Sequence, residues 1–199
     1  MIKEEIAPGI IVYSNVIPNS EGLENDIEEG LKSAGLDWVA AEVKNGTGED
    51  TIDTISRDTS AFGIPYSGQM LDNYENLQSS LFTTLNNMFF ENFDLVEKDY
   101  QNSFGIFTTW HDSYGILKYG VGQKFTNHID DHPDYHRRVS TVYYINDNYE
   151  GGEINFPRFG ITYKPKANEM IVFPSTYVYN HSVSVVTKGT RYAVVGWMK

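Results

Sequence analysis

The second half of this 199-residue chain is a succession of short β-branched and aromatic segments, and that texture limits the fold more than any other feature. Strand-like runs occupy residues 103–110, 114–119, 139–145, 153–156, 161–163, 169–173, 181–186 and 191–198. Turn material separates them: His111-Asp112-Ser113, Asn146-Asp147-Asn148, Gly151-Gly152 and Lys188-Gly189. Short strands at this spacing, with no helical pattern between them, predict a sandwich or jelly roll.

The first half reads differently. Residues 9–17, GIIVYSNVI, predict one strand closed by Pro18, and Asn19 or Ser20 then caps a helix carrying Leu23, Ile27 and Leu31 before Gly35 ends it. From 37 to 67 the pattern is weak, with Gly46 and Gly48 marking a loop and ISRDTSAF, around Arg57, a short ordered segment. A second helix carries an apolar stripe of Leu77, Leu81, Leu85, Met88 and Phe89, extended by Tyr74 and Phe93. Such a stripe belongs against a sheet rather than in a cofactor groove. The predicted fold class is therefore α+β, mainly β. It is one domain over residues 1–199, with a helical support region (1–100) on the outside of a jelly-roll, or double-stranded β-helix, core (101–199).

Composition narrows the partners. A formal net charge of -12 disfavours phosphate backbones, and Lys164 with Lys166, or Arg137 with Arg138, make pairs rather than a basic patch. No nucleic acid is expected; a cationic peptide is compatible with the charge but not implied by it. No apolar run approaches a membrane span, the opening MIKEEIAPG has no signal-peptide core, and the chain contains no cysteine. Disulfides, zinc-thiolate sites and thiol catalysis are excluded, and a cytoplasmic location without membrane contact is expected. Oligomeric state is left open.

Chemistry concentrates in KYGVGQKFTNHID, residues 118–130. His128 and Asp130 stand two apart at what reads as a strand end, so they project from one face. An imidazole and a carboxylate so placed are two ligands of a facial iron site, and a distant histidine would be the third. His181 fills that need: it opens HSVSVV, where His181, Val183 and Val185 share one face and Ser182 and Ser184 the other. His111 reads as a loop residue. His132 and His136 have helical metal-pair spacing, but Pro133 between them, with Asp131 and Asp134, makes that stretch a loop.

Arg191 follows in RYAVVGW, on one face with Ala193, Val195 and Trp197. A three-residue turn at Thr187-Lys188-Gly189 would pair Val185 with Arg191 and aim the guanidinium at the interior that holds His181; a two-residue turn would aim it away. In the favoured register the two residues stand roughly 13 Å apart along the sheet. A buried guanidinium needs an anion, and no interior carboxylate lies nearby in sequence; a five-carbon diacid would supply one.

From Tyr114 onward the chain resembles the Fe(II)/2-oxoglutarate-dependent dioxygenases, specifically the prolyl 4-hydroxylase group. YGVGQKFTNHID, GGEINFP and HSVSVVTKGTRYAVVGW carry the resemblance in order and separation, including ten residues from His181 to Arg191. It implies that His128, Asp130 and His181 ligate Fe(II), with open positions for 2-oxoglutarate and O2, and that Arg191 holds the distal carboxylate of 2-oxoglutarate. It implies a co-substrate contact for Tyr119 and Tyr144, and packing of Trp197 against a target proline. ISRDTSAF resembles an upstream prolyl-hydroxylase element more loosely, which sets Arg57 at the substrate. The implied reaction is oxidative decarboxylation of 2-oxoglutarate to succinate and CO2, coupled to hydroxylation of a C–H bond, with ascorbate as reductant.

Two departures bear on substrate. Phe125 stands where many of these enzymes have a tyrosine near the substrate, and Arg191 where the collagen type usually has lysine. Asp130 is retained, unlike in the halogenases of the superfamily. The expectation is a prolyl 4-hydroxylase of the procollagen-proline type acting on a proline-containing peptide or protein. The alternatives are an oxygenase acting on another residue, a free amino acid or a small molecule, and a non-catalytic jelly-roll binding protein.

Overall fold

The computed structural model describes residues 1–44, 49–65, 80–108, 113–131 and 136–199. The chain opens with a hairpin, β1 (Ile2–Ala7) and β2 (Ile10–Ser14), followed by helix α1 (Leu23–Ser33). Short strands come next: β3 (Val39–Ala40), β4 (Val43–Lys44), β5 (Asp50–Thr51), β6 (Arg57–Asp58) and β7 (Ser60–Pro65). Helix α2 (Ser80–Phe104) precedes β8 (Ser113–Tyr119), β9 (Lys124–His128), β10 (Val139–Tyr144), β11 (Glu150–Gly151) and β12 (Ile154–Phe156). The chain closes with β13 (Ile161–Tyr163), β14 (Glu169–Pro174), β15 (His181–Val183), β16 (Val186–Lys188) and β17 (Arg191–Met198).

These strands form an eight-stranded sheet, β1-β2-β14-β10-β17-β8-β7-β3, a five-stranded sheet, β13-β12-β15-β9-β6, and two-stranded pairs β4-β5 and β11-β16. Two apolar clusters show how they stack. One joins α1 and α2 (Leu23, Ile27, Leu31, Leu85, Phe89, Phe93) to Tyr143, Tyr192 and Val194 on the outer face of the large sheet. The other joins Leu117, Tyr144, Ala193 and Val195 on its inner face to Ile154, Phe156 and Val183 of the small sheet. The order is helices, large sheet, small sheet, which is a jelly roll with helices outside. Because the large sheet is covered on both faces, β10 is buried along its whole length, so its sequence VSTVYY shows little alternation.

Several expectations change. The N-terminal half is more than a helical support: β1, β2, β3 and β7 supply four of the eight strands of the large sheet. The predicted 9–17 strand is the second arm of a hairpin, with Gly9 (φ 74) in its turn and Asn15 (φ 58) ending it. Neither Asn19 nor Ser20 caps α1; Gly22 (φ 79) does, without a side-chain bond. Over its described part, 103–108, the predicted 103–110 strand is not one. Val96 and Tyr100 continue the buried stripe of Phe89 and Phe93 at helical spacing, so α2 runs on to Phe104, and Gly105 (φ 61) follows it. The final hairpin does not form either. β16 pairs with β11, whereas β17 pairs with β8 and β10, so the chain crosses between sheets at Gly189 (φ 75). Gly46, Gly48, Tyr74, Leu77, Trp110, His111, Asp112, His132, Pro133 and Asp134 lie outside the described residues.

Candidate metal and co-substrate site

β9 and β15 are neighbours in the small sheet, and their register sets His128 opposite His181. Asp130 follows two residues beyond the end of β9, and ligand atoms of the three side chains lie within 4.8 Å of one another. His128 Nε2 is 3.5 Å from Asp130 Oδ1, and His181 Nε2 is 3.7 Å from Asp130 Oδ2. A divalent first-row ion bound at about 2.1 Å fits between atoms so spaced. Among the described residues no other group of three such side chains converges.

The second nitrogen of each ring fixes the first. His128 Nδ1 lies 2.8 Å from the Thr126 carbonyl, and His181 Nδ1 lies 3.2 Å from the Tyr179 carbonyl. A carbonyl only accepts, so Nδ1–H donates in both rings and each Nε2 is the ring atom turned to Asp130. Burial lowers the His181 pKa to about 4 against the opposing pull of Asp130, which keeps the ring neutral at neutral pH. Burial pushes the Asp130 carboxyl up, yet His181, His128 and the Ser140 hydroxyl outweigh it and hold it below the usual carboxylate range. Neutral imidazoles and an ionised carboxylate are the forms that bind a metal. Phe125 stacks on His128 (centroids 3.6 Å, 14°) and Phe173 meets His181 edge-on at 4.8 Å, so aromatic walls hold both rings.

Arg191 is 1% exposed and stands directly opposite Tyr119 in the β17–β8 register. Its guanidinium lies 4.8 Å from the Tyr119 ring and 5.0 Å from the Tyr144 ring. No carboxylate answers it: Nε and Nη1 are buried without a hydrogen-bond partner, and so are the hydroxyls of Tyr144 and Tyr149. The inward direction expected for Arg191 holds, but its cause is the alternation of β17 within the large sheet, whose inner face looks onto the small one, rather than a hairpin turn. Val185, expected inside with His181, is 43% exposed because β15 stops at Val183.

The triad and Arg191 open into one cavity of about 940 Å³, which Tyr119, Phe125, Arg57 and Trp197 also line. Arg57 lies 4.8 Å over Phe125, its partner across β6 and β9, and donates to the Glu42 carbonyl. Tyr144 sits behind Arg191. His136 is exposed and takes no part. Two residues escaped the sequence reading. Arg137, set aside as half of a surface pair, stacks on Trp197 at 3.6 Å and donates to the Asp130 carbonyl. Tyr149 is buried beside Arg191. Neither carries a periodic signal, since both lie just outside strands.

Comparison with known proteins agrees with this geometry. Residues 114–199 match the profile of the 2OG-Fe(II) oxygenase superfamily. A PKHD-type hydroxylase of Picosynechococcus sp. is 38% identical over 88 residues, covering 41% of this chain and 39% of the relative. The chain thus spans about two fifths of the length of the first curated relatives it matches. Among solved structures, a Pseudomonas putida prolyl-4-hydroxylase aligns at TM-score 0.66 and 18% identity over 96% of this chain and 92% of that one. A Trichoplax adhaerens prolyl hydroxylase, solved with a hypoxia inducible factor peptide, aligns at TM-score 0.64 and 18% identity over 96% and 83%. At these identities the structural likeness is one of fold. Over residues 114–199 the chain is thus similar in sequence to the 2OG-Fe(II) oxygenase superfamily, and its fold is like that of the solved prolyl hydroxylases.

Proposed function

We propose that this chain is an Fe(II)- and 2-oxoglutarate-dependent dioxygenase that hydroxylates proline in a peptide or protein. The observation that carries the reading is the pairing, in one cavity, of a His128-Asp130-His181 ligand set with a buried Arg191 whose Nε and Nη1 lack partners. The donor set, two imidazoles and one carboxylate, suits Fe(II). The unanswered guanidinium suits the distal carboxylate of a diacid. When bound, iron and 2-oxoglutarate supply the oxidising chemistry, in which O2 yields succinate, CO2 and a hydroxylated product.

The protein's own residues do the rest. His128, Asp130 and His181 hold the metal, and the Thr126 and Tyr179 carbonyls hold the two rings. Arg191 anchors the co-substrate, with Tyr119 and Tyr144 around its guanidinium. Phe125, Arg57 and Trp197 line the cavity, where a peptide would approach the metal. Ascorbate serves as reductant. A chain without cysteine suits a reducing, cytoplasmic setting, and no helix among the described residues is long and apolar enough to cross a membrane.

The test is mass spectrometry of proline-containing peptides incubated with the protein, Fe(II), 2-oxoglutarate and ascorbate. A gain of one oxygen on proline, dependent on 2-oxoglutarate, is expected. Oxidation of a different residue would redirect the substrate assignment. Absence of 2-oxoglutarate turnover across a broad peptide panel would favour a non-catalytic binding protein.

A further inference from the structure

Both histidines of the triad are held by the same local plan. In Thr126-Asn127-His128 the ring Nδ1 lies 2.8 Å from the Thr126 carbonyl, two residues back. In Tyr179-Asn180-His181 it lies 3.2 Å from the Tyr179 carbonyl, again two residues back. An asparagine stands immediately before the histidine in each. These two asparagines are bonded to one another: Asn180 Nδ2 donates to Asn127 Oδ1 at 2.9 Å.

The pairing of β9 with β15 is irregular at this point. His181 stands opposite His128 and Val183 opposite Phe125, so Thr126 and Asn127 together face Ser182 alone. The extra residue makes a β-bulge. Phe125 and His128 are three apart, which in a regular strand sets them on opposite faces. The bulge brings both to the cavity, where their rings stack at 3.6 Å. It also interrupts the ladder beside a metal ligand, and a slip of one residue would carry His128 to the other face. On the β6 side the bulge is fastened by Thr126 N, which donates to the Ser56 carbonyl at 2.8 Å. On the β15 side the bulged residue Asn127 is fastened by Asn180.

We propose that Asn127 and Asn180 are positioning residues for the metal: their amide–amide bond ties β9 to β15 at the bulge and holds His128 and His181 at the spacing an ion requires. Each acts through the histidine that follows it, not by contact with the ion. The assignment rests on the metal-site reading above and extends it to two residues outside the ligand set.

Titration of the protein with Co(II), read by calorimetry and by the visible absorption of the bound ion, tests it. Asn127→Ala and Asn180→Ala should each weaken Co(II) binding about three- to tenfold and shift the Co(II) band, while the urea midpoint of the metal-free protein moves little. The double variant should bind Co(II) about as tightly as the weaker single one, because both substitutions break the same bond. Thr162→Ala, which removes a different side-chain bond of the small sheet (to Asn155 Oδ1, 2.8 Å), should keep the parent affinity. Parent affinity in either asparagine variant, losses that multiply in the double variant, or an equal loss in Thr162→Ala would each overturn the proposal and leave the metal site standing. A parent protein that binds no Co(II) would overturn the metal-site reading itself, and the role of the asparagines with it.

Discussion

Arg191 lies in a place where a charge is expensive. With 1% of its surface exposed and no carboxylate beside it, it should destabilise the unliganded fold, because burying a cation without an anion costs free energy. Arg191→Met should therefore raise the stability of the ligand-free protein, by about 1 kcal/mol or more, while 2-oxoglutarate affinity is lost. Urea unfolding paired with calorimetric titration checks both halves. Gly152 carries the opposite expectation. At φ 65, and with a Cβ 3.0 Å from Arg191 Cδ and Tyr149 Cε2, Gly152→Ala should cost about 1–3 kcal/mol and weaken 2-oxoglutarate binding. Thermal unfolding together with the same titration would reveal it. At this scale the sequence was informative where strand alternation applies: His128, His181 and Arg191 each sit in or at the end of a strand whose period-two pattern sets the side-chain direction. Tyr149 and Arg137 sit in connections, where no period operates, and only the folded chain brings them to the site.

Single elements are tied together by a few buried anchors. Phe93 of α2 packs at 5.3 Å against both Tyr114 of β8 and Tyr143 of β10, which makes it the pin between helix and large sheet. Phe93→Ala should cost about 3–5 kcal/mol, read as a fall in the urea midpoint. α1 is held by Glu28, which accepts from Lys118 Nζ (2.6 Å), the Tyr192 hydroxyl (2.6 Å) and Trp38 Nε1 (3.2 Å). Burial works to raise the Glu28 pKa, but those three donors outweigh it and hold it below the ordinary carboxylate value. A depressed folded pKa means that the stabilisation is present above the unfolded pKa, about 4.3, and is lost as pH falls through the folded value. The stability gap between parent and Glu28→Gln should thus be widest near neutral pH and close under acid, in unfolding series run across that range. The amphipathic helices were legible because their stripes repeat over several turns. Strands of two residues, such as β3 and β6, are too short to show any period. β1, with exposed Ile2, Lys3, Glu4 and Glu5, reads as a polar terminus until it pairs with β2.

At the scale of the molecule, the jelly roll creates a space between two sheets that neither half of the sequence defines alone. Metal ligands come from the small sheet and the residue beyond β9, and Arg191 comes from the large one. The crossing at Gly189, from β16 in one sheet pair to β17 in another, puts His181 and Arg191 on facing walls. The sequence reading reached the right side of the wall by the wrong connection, because alternation within a strand is local whereas strand pairing is not. The N-terminal strands were harder still, since sheet partners far apart in sequence leave no local trace.

The central claim is that these two walls form one reaction site, with iron on the His128-Asp130-His181 side and 2-oxoglutarate reaching from it to Arg191. Turnover under isotopically labelled dioxygen, with a peptide found to be a substrate, tests it most directly. One labelled oxygen should enter succinate and one the hydroxylated peptide, and both should vanish in Asp130→Ala and collapse in Arg191→Met. Full labelled turnover in either variant, or a folded, iron-loaded parent that releases no labelled succinate, would contradict the account.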